Sequence, residues 1–224
     1  MITNVLEMTN LSDLTSLRSY AFGFTSSNRP SQYLYPYLCA MISEPSSRFV
    51  TFPDESIQRL KELLAEPRRI LITTHKNPDG DAIGSSLGLW WVLMRLGHDV
   101  RIVSPNAWDH FLAWMPGVDE ITNAYYHEKL ADQLFADTEV LFCLDFSASH
   151  RVGEDLHPIL EKSAATKVLI DHHLDPEVWP DHLFHVAGAS STAELVFRLV
   201  DQMGHQDLID QSVAECLYTG LMTD

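Results

Sequence analysis

From Phe49 onward the chain alternates between segments with apolar residues at helical spacing and short, nearly continuous apolar runs. Pro53–Ala65 reads as a helix beginning just after a turn, and RILITT (Arg69–Thr74) as a buried strand. A second helix is predicted from about Asp81 to Leu96, closed by Gly97, and HDVRIVS supplies the next strand. A loop through Trp108 and Pro116 leads to a helix over His127–Ala136, and EVLFCLDF is a third strand. A helix near Ile159 precedes the fourth, TKVLIDHH; LFHVA is a candidate fifth, followed by helices over Ser191–Met203 and Asp207–Leu221. Strands separated by helices imply an α/β fold, because parallel neighbours need crossovers and helices supply them. The expectation is a parallel, Rossmann-like sheet with helices on both faces, and ligands at the carboxyl ends of its strands.

Polar clusters fall at those ends. His75, Asp79 and Asp81 follow RILITT, Asp145 follows EVLFCL, and Asp171, His172 and His173 close TKVLI. Each has an ordinary alternative. Asp81 stands where a helix N-cap belongs, Gly84 and Gly88 suit close packing of that helix on the sheet, and adjacent histidines arise easily in a chain with 11 of them. Taken together at successive strand ends they point to a site. Pro78 and Gly80 make a turn that can aim Asp79 and Asp81 inward.

Imidazole with carboxylate and no thiolate suits manganese, magnesium, iron or zinc. Five or six ligands exceed what one magnesium takes, whereas bridging carboxylates hold two ions about 3.5–4 Å apart. Consecutive residues at a strand end point in opposite directions, so His172 and His173 are not expected to bind the same ion. Neither a phosphate-binding G-x-x-x-x-G-K-[ST] loop nor a G-x-G dinucleotide fingerprint is present.

Composition narrows the function. A net charge of −16 over 224 residues argues against long duplex or single-stranded nucleic acid as a partner, but not against a small phosphate-bearing substrate. There is neither an apolar run long enough to span a bilayer nor a signal-peptide pattern, and the three cysteines, Cys39, Cys143 and Cys216, form no C-x-x-C pair. A cytoplasmic protein without membrane partner is expected, with Cys143 and Cys216 as core fillers. Residues 1–48 have neither period; they are expected to be an extension, or the product of a start codon placed upstream of a true start at Met41.

THKNPDGDAIGSSLGL (Thr74–Leu89) resembles the first motif of the DHH phosphoesterases, LDFS (Leu144–Ser147) the second, IDHH (Ile170–His173) the motif that names them, and YTGLMTD (Tyr218–Asp224) the fourth. Together with ASSTAELVF (Ala189–Phe197), they are similar to the branch of nanoRNases and 3'-phosphoadenosine 5'-phosphate phosphatases. The resemblance implies a DHH catalytic domain over residues 49–224, in which His75 and Asp79 hold one metal, Asp81 and His172 the other, and Asp145 and Asp224 bridge both. It further implies that His173 faces the phosphate and Asp171 orients a histidine from behind, giving His173, Asp145 and Asp171 as catalytic residues. Two divalent ions, manganese first and magnesium as the alternative, are the implied cofactors, and short RNA or a small nucleotide the implied substrate; a homodimer is compatible with it. Relatives continue into a DHH-associated domain, so a longer protein or a truncated chain is expected.

Ser191 and Glu194 form an S-x-x-E capping box, favoured over a phosphate contact. Trp90 and Trp91 are expected to pack, whereas Trp108 and Trp114 stay open between packing and contact with a base. Arg151 stands equally between phosphate contact and surface arginine.

Overall fold

The computed structural model describes residues 51–224, so the expectations for residues 1–48, Cys39 and Met41 lie outside the described residues. Six parallel strands form one sheet in the order β3-β2-β1-β4-β5-β6. They are β1 (Arg69–Thr74), β2 (Asp99–Ser104), β3 (Ile121–Asn123), β4 (Val140–Leu144), β5 (Thr166–Asp171) and β6 (His182–His185). The helices are α1 (Asp54–Leu63), α2 (Gly80–Arg95), α3 (Glu128–Asp137), α4 (His157–Lys162), α5 (Thr192–Gln202) and α6 (Gln211–Thr223). This is the doubly wound arrangement in which the order of the strands reverses between β1 and β4, opening a crevice at their carboxyl ends.

The continuous apolar character of β1, β4 and β5 follows from burial on both faces. One face of the sheet, with Ile70, Ile72, Phe142, Ile170 and Phe184, packs against α1, α2, α5 and α6. The other, with Leu71, Leu141, Cys143 and Leu169, is covered by Ala131 and Phe135 of α3 and Leu160 of α4. Cys143 and Cys216 are buried free thiols whose pKa burial pushes up, consistent with their role as core fillers. Trp90 and Trp91 pack too, donating Nε1–H to Val100 O at 3.1 Å and Pro116 O at 3.0 Å. No helix among the described residues is long and apolar enough to cross a membrane.

The structure departs from the sequence pattern in four places. β3 was not predicted: its three residues are too few for a period to register, and it owes its existence to pairing with β2. Asp79, not Asp81, caps α2, accepting from the backbone N–H groups of Asp81 and Ala82 at 3.0 Å. α6 begins at Gln211 rather than near Asp207, because Asp210 caps it through Ser212 N–H and Val213 N–H, leaving Gln206–Leu208 as a separate 3-10 turn.

The fourth concerns the glycines of α2, which face α6 rather than the sheet. A Cβ at Gly84 would lie 2.6 Å from Cys216 O and 2.8 Å from Gly220 N, and one at Gly88 would meet the Leu217 side chain. A Cβ at Gly80 would collide with the Thr223 side chain. Absent side chains thus let α6 lie directly on α2 and carry Asp224, the residue that follows it, to the start of α2.

Candidate metal centre

The crevice between β1 and β4 is where the cluster forms. Hydroxyls of the last strand residues hold the sheet together there: Thr74 Oγ1 donates to Leu144 O at 2.9 Å, and Thr73 Oγ1 to Val103 O at 3.0 Å. His75 then leaves β1 and Asp145 leaves β4 on opposite sides of the reversal point. Asp145 adopts φ +67°, a left-handed conformation that aspartate tolerates better than most residues but that still carries strain, and its side chain is 1% exposed.

Seven sequence-predicted side chains gather here. His75 Nε2 lies 3.9 Å from Asp79 Oδ1 and 3.6 Å from Asp145 Oδ2. His172 Nε2 lies 3.9 Å from Asp81 Oδ2, 3.7 Å from Asp145 Oδ1 and 3.6 Å from Asp224 Oδ2. Candidate ligand atoms therefore fall into a group of His75, Asp79 and Asp145, a group of Asp81, His172 and Asp224, and an overlapping group of Asp145, His172 and His173, with the two oxygens of Asp145 turned one to His75 and the other to His172. Asp224 groups only with the second set, although the resemblance makes it a bridge.

His173 Nδ1 also approaches Asp145 Oδ1, at 3.8 Å. Both rings of the pair thus turn toward Asp145, contrary to the expected alternation, because the pleat ends at Asp171 and no longer dictates direction. His173 is nonetheless committed elsewhere. Its Nδ1 bonds Asp171 Oδ1 at 2.8 Å, while its carbonyl is held by His185 Nε2 at 2.5 Å.

Three observations test whether these residues fit a cation. First, His172 Nε2 is buried without a hydrogen-bond partner, while Nδ1 on the far side of the ring reaches Ala189 O at 3.4 Å. Second, His75 Nδ1 bonds Lys76 O at 2.9 Å, which places the proton there and leaves the Nε2 lone pair facing the carboxylates. Third, no Lys or Arg among the described residues pairs with Asp79, Asp81, Asp145 or Asp224. Burial and the Asp145 charge push Asp81 up to about 9, against the pull of two backbone N–H bonds. Burial also raises Asp224, helped by the charges of Asp145 and Asp79. Asp145, despite burial, is held below the ordinary carboxylate range by His75 and Thr192, and the same pairing raises His75 against its own desolvation. An acidic cluster with imidazole nitrogens turned to its carboxylates, and with no Lys or Arg among the described residues paired to it, fits divalent ions.

Thr192 and the backbone at the start of α5 were missed by sequence reasoning. Asp81 accepts Thr192 N–H at 2.6 Å and Ala193 N–H at 2.9 Å, so the carboxylate read as a cap for its own helix instead caps α5. Thr192 Oγ1 donates to Asp145 Oδ1 at 2.9 Å. Ser191 caps the same helix through Glu194 N–H, and Glu194 reaches back to Ser190 N–H, close to the predicted capping box. The signal was the position of SST ahead of a helix, but sequence spacing does not say which distant side chains a helix start will meet.

The described residues form a doubly wound α/β protein with a divided acid–imidazole cluster at its reversal point. The chain belongs to the DHH family: the model of the DHH family N-terminal domain matches residues 69–221, and members of the family are phosphoesterases. It is 27% identical over 156 residues to the bifunctional oligoribonuclease and PAP phosphatase NrnA of Bacillus subtilis, covering 69% of this chain and 45% of that protein. It is 27% identical over 173 residues to the cyclic-di-AMP phosphodiesterase GdpP of the same organism, covering 74% and 26%. The crystal structure of an exopolyphosphatase-related protein from Bacteroides fragilis superposes with a TM-score of 0.74 at 39% identity, over 76% of this chain and 50% of that one. The chain thus spans half or less of each.

Proposed function

We propose that the protein is a metal-dependent phosphoesterase that hydrolyses short oligoribonucleotides, 3'-phosphoadenosine 5'-phosphate or both, with two divalent cations, manganese or magnesium. The observation that carries this reading is Asp145, whose two oxygens face separate histidine-containing groups 3.6 and 3.7 Å away. His75 and Asp79 would hold one ion, Asp81, His172 and Asp224 the other, and Asp145 both. Divalent cations in such a site supply Lewis acidity, acidifying water and offsetting charge on the phosphoryl oxygens.

The chain's own residues supply orientation and proton handling. Asp171, fully buried, accepts from His173 Nδ1 and so fixes the tautomer that leaves Nε2 for substrate. The His173 side chain is 37% exposed, and in its charged form Nε2–H can donate to a phosphoryl oxygen or protonate the departing ester oxygen. A short RNA or a small nucleotide suits an acidic protein better than a long duplex.

The likeness to GdpP favours a second reading, in which the ester cleaved belongs to a cyclic dinucleotide. Comparison of dinucleotides, 3'-phosphoadenosine 5'-phosphate and cyclic dinucleotides as substrates separates the two. Asp145→Ala should abolish manganese-dependent release of mononucleotide from a dinucleotide; activity retained in a clean preparation would refute the assignment.

A further inference from the structure

The cluster brings four aspartates to the place where a phosphate must approach, and cations bound there offset charge only at the ester being cleaved. A substrate with a second phosphate meets the remaining acidity of a chain of net charge −16 and needs a positive group from the protein. Two exposed basic residues stand on the loops that deliver His75 and Asp145.

Arg151 lies in the 3-10 turn Ser149–Val152, a few residues beyond Asp145, and is exposed. Among the described residues every other arginine has a carboxylate partner at 3.9 Å or closer: Arg59, Arg68, Arg69, Arg95, Arg101 and Arg198. Arg151 makes no ion pair and no side-chain hydrogen bond within the described residues, in a protein with about twice as many acids as bases. Lys76, the residue after His75, is also exposed, and its ammonium makes no ion pair within the described residues.

The two are built into one unit. Lys76 N–H donates to Arg151 O at 2.8 Å, tying the loop after β1 to the loop after β4 across the reversal point. The Lys76 stem lies along Gly153, where a Cβ would stand 3.0 Å from Lys76 Cδ and where φ is +98°. Glycine at 153 therefore both makes the turn and leaves room for the lysine.

We infer that Arg151 and Lys76 form a phosphate anchor separate from the carboxylate cluster, which binds a phosphate of the substrate other than the one being cleaved. The anchor deepens the phosphoesterase reading by making the second phosphate a determinant of specificity: a 5'-phosphorylated dinucleotide or a nucleoside bisphosphate is preferred to an otherwise identical molecule with one phosphate fewer. Guanidinium suits the task because its planar donors pair with phosphate oxygens two at a time, with the ammonium adding a point charge.

The test is equilibrium binding of 5'-phosphorylated diadenylate and of its unphosphorylated form to the full-length protein, with calcium in place of manganese to hold back turnover. The wild-type protein should bind the phosphorylated form about tenfold more tightly or better, as a charge-assisted contact implies. Arg151→Gln and Lys76→Gln should each shrink that ratio, and the double variant should bring it close to one, with calcium and manganese titrations unchanged. A wild-type ratio near one, or a ratio that survives in the double variant, overturns the anchor. Absence of hydrolysis with manganese would sink the phosphoesterase reading instead, and the binding ratio would still decide the anchor.

Discussion

Thr192 and Asp145 stand 47 residues apart in sequence, yet the threonine hydroxyl lies 2.9 Å from the carboxylate that divides its oxygens between the two groups of candidate ligands. The backbone N–H of the same threonine holds Asp81. One residue at the start of α5 thus sets the direction of two acids that the β1–α2 and β4 segments deliver. Removing the hydroxyl should free Asp145 to rotate without unfolding the chain. Thr192→Val is expected to weaken manganese binding about 10–100-fold in calorimetric titration. Thr192→Ser should restore most of the loss, since it keeps the donor.

Asp79 has two separable jobs, as helix cap and as candidate ligand. Serine also caps helices but does not ligate as a carboxylate does. Asp79→Ser should therefore leave the melting temperature close to that of the wild type while reducing metal affinity, whereas Asp79→Ala should lose affinity and about 1 kcal/mol of stability as well. Equal melting of the two variants would remove the capping role.

The contact of α2 with α6 is the means by which Asp224 reaches the cluster. Gly84→Ala would press a methyl against Cys216 O and Gly220 N, backbone atoms that cannot rotate away. It should cost about 1–3 kcal/mol in chemical denaturation and weaken metal binding by moving Asp224. Gly188, whose Cβ would meet nothing within 4 Å, supplies the control: Gly188→Ala should change neither.

The electrostatics predict a pH dependence with a definite sign. Asp81 in the metal-free fold titrates at about 9, far above its unfolded value, so the folded state holds the proton more tightly. Its stabilising contribution is complete below the ordinary carboxylate range and declines as pH rises toward 9. Metal-free protein should therefore melt at progressively lower temperature from about pH 5 to pH 9. Manganese must displace that proton, so its affinity, and the stabilisation it confers, should grow over the same interval.

The strands that carry the site were legible because each is a short apolar run ending in a histidine or an acid, a pattern that burial on both faces imposes. The ligand candidates could be named for the same reason: strand ends in a doubly wound sheet converge. Thr192 was not legible, since nothing local marks a threonine as the partner of two distant aspartates. The left-handed backbone of Asp145 was equally hidden, and β3 exists only through its neighbour. The cap of α2 was misassigned because Asp79 and Asp81 are both acceptable cap residues, and only the turn geometry decides between them.

Every role proposed for these residues requires the cluster to hold a pair of cations. Anomalous diffraction at the manganese absorption edge, from crystals grown with manganese, tests it directly. Two peaks should appear, one among His75, Asp79 and Asp145 and the other among Asp81, His172 and Asp224, with Asp145 touching both. No peak at the cluster, or manganese bound only elsewhere on the protein, would contradict the account.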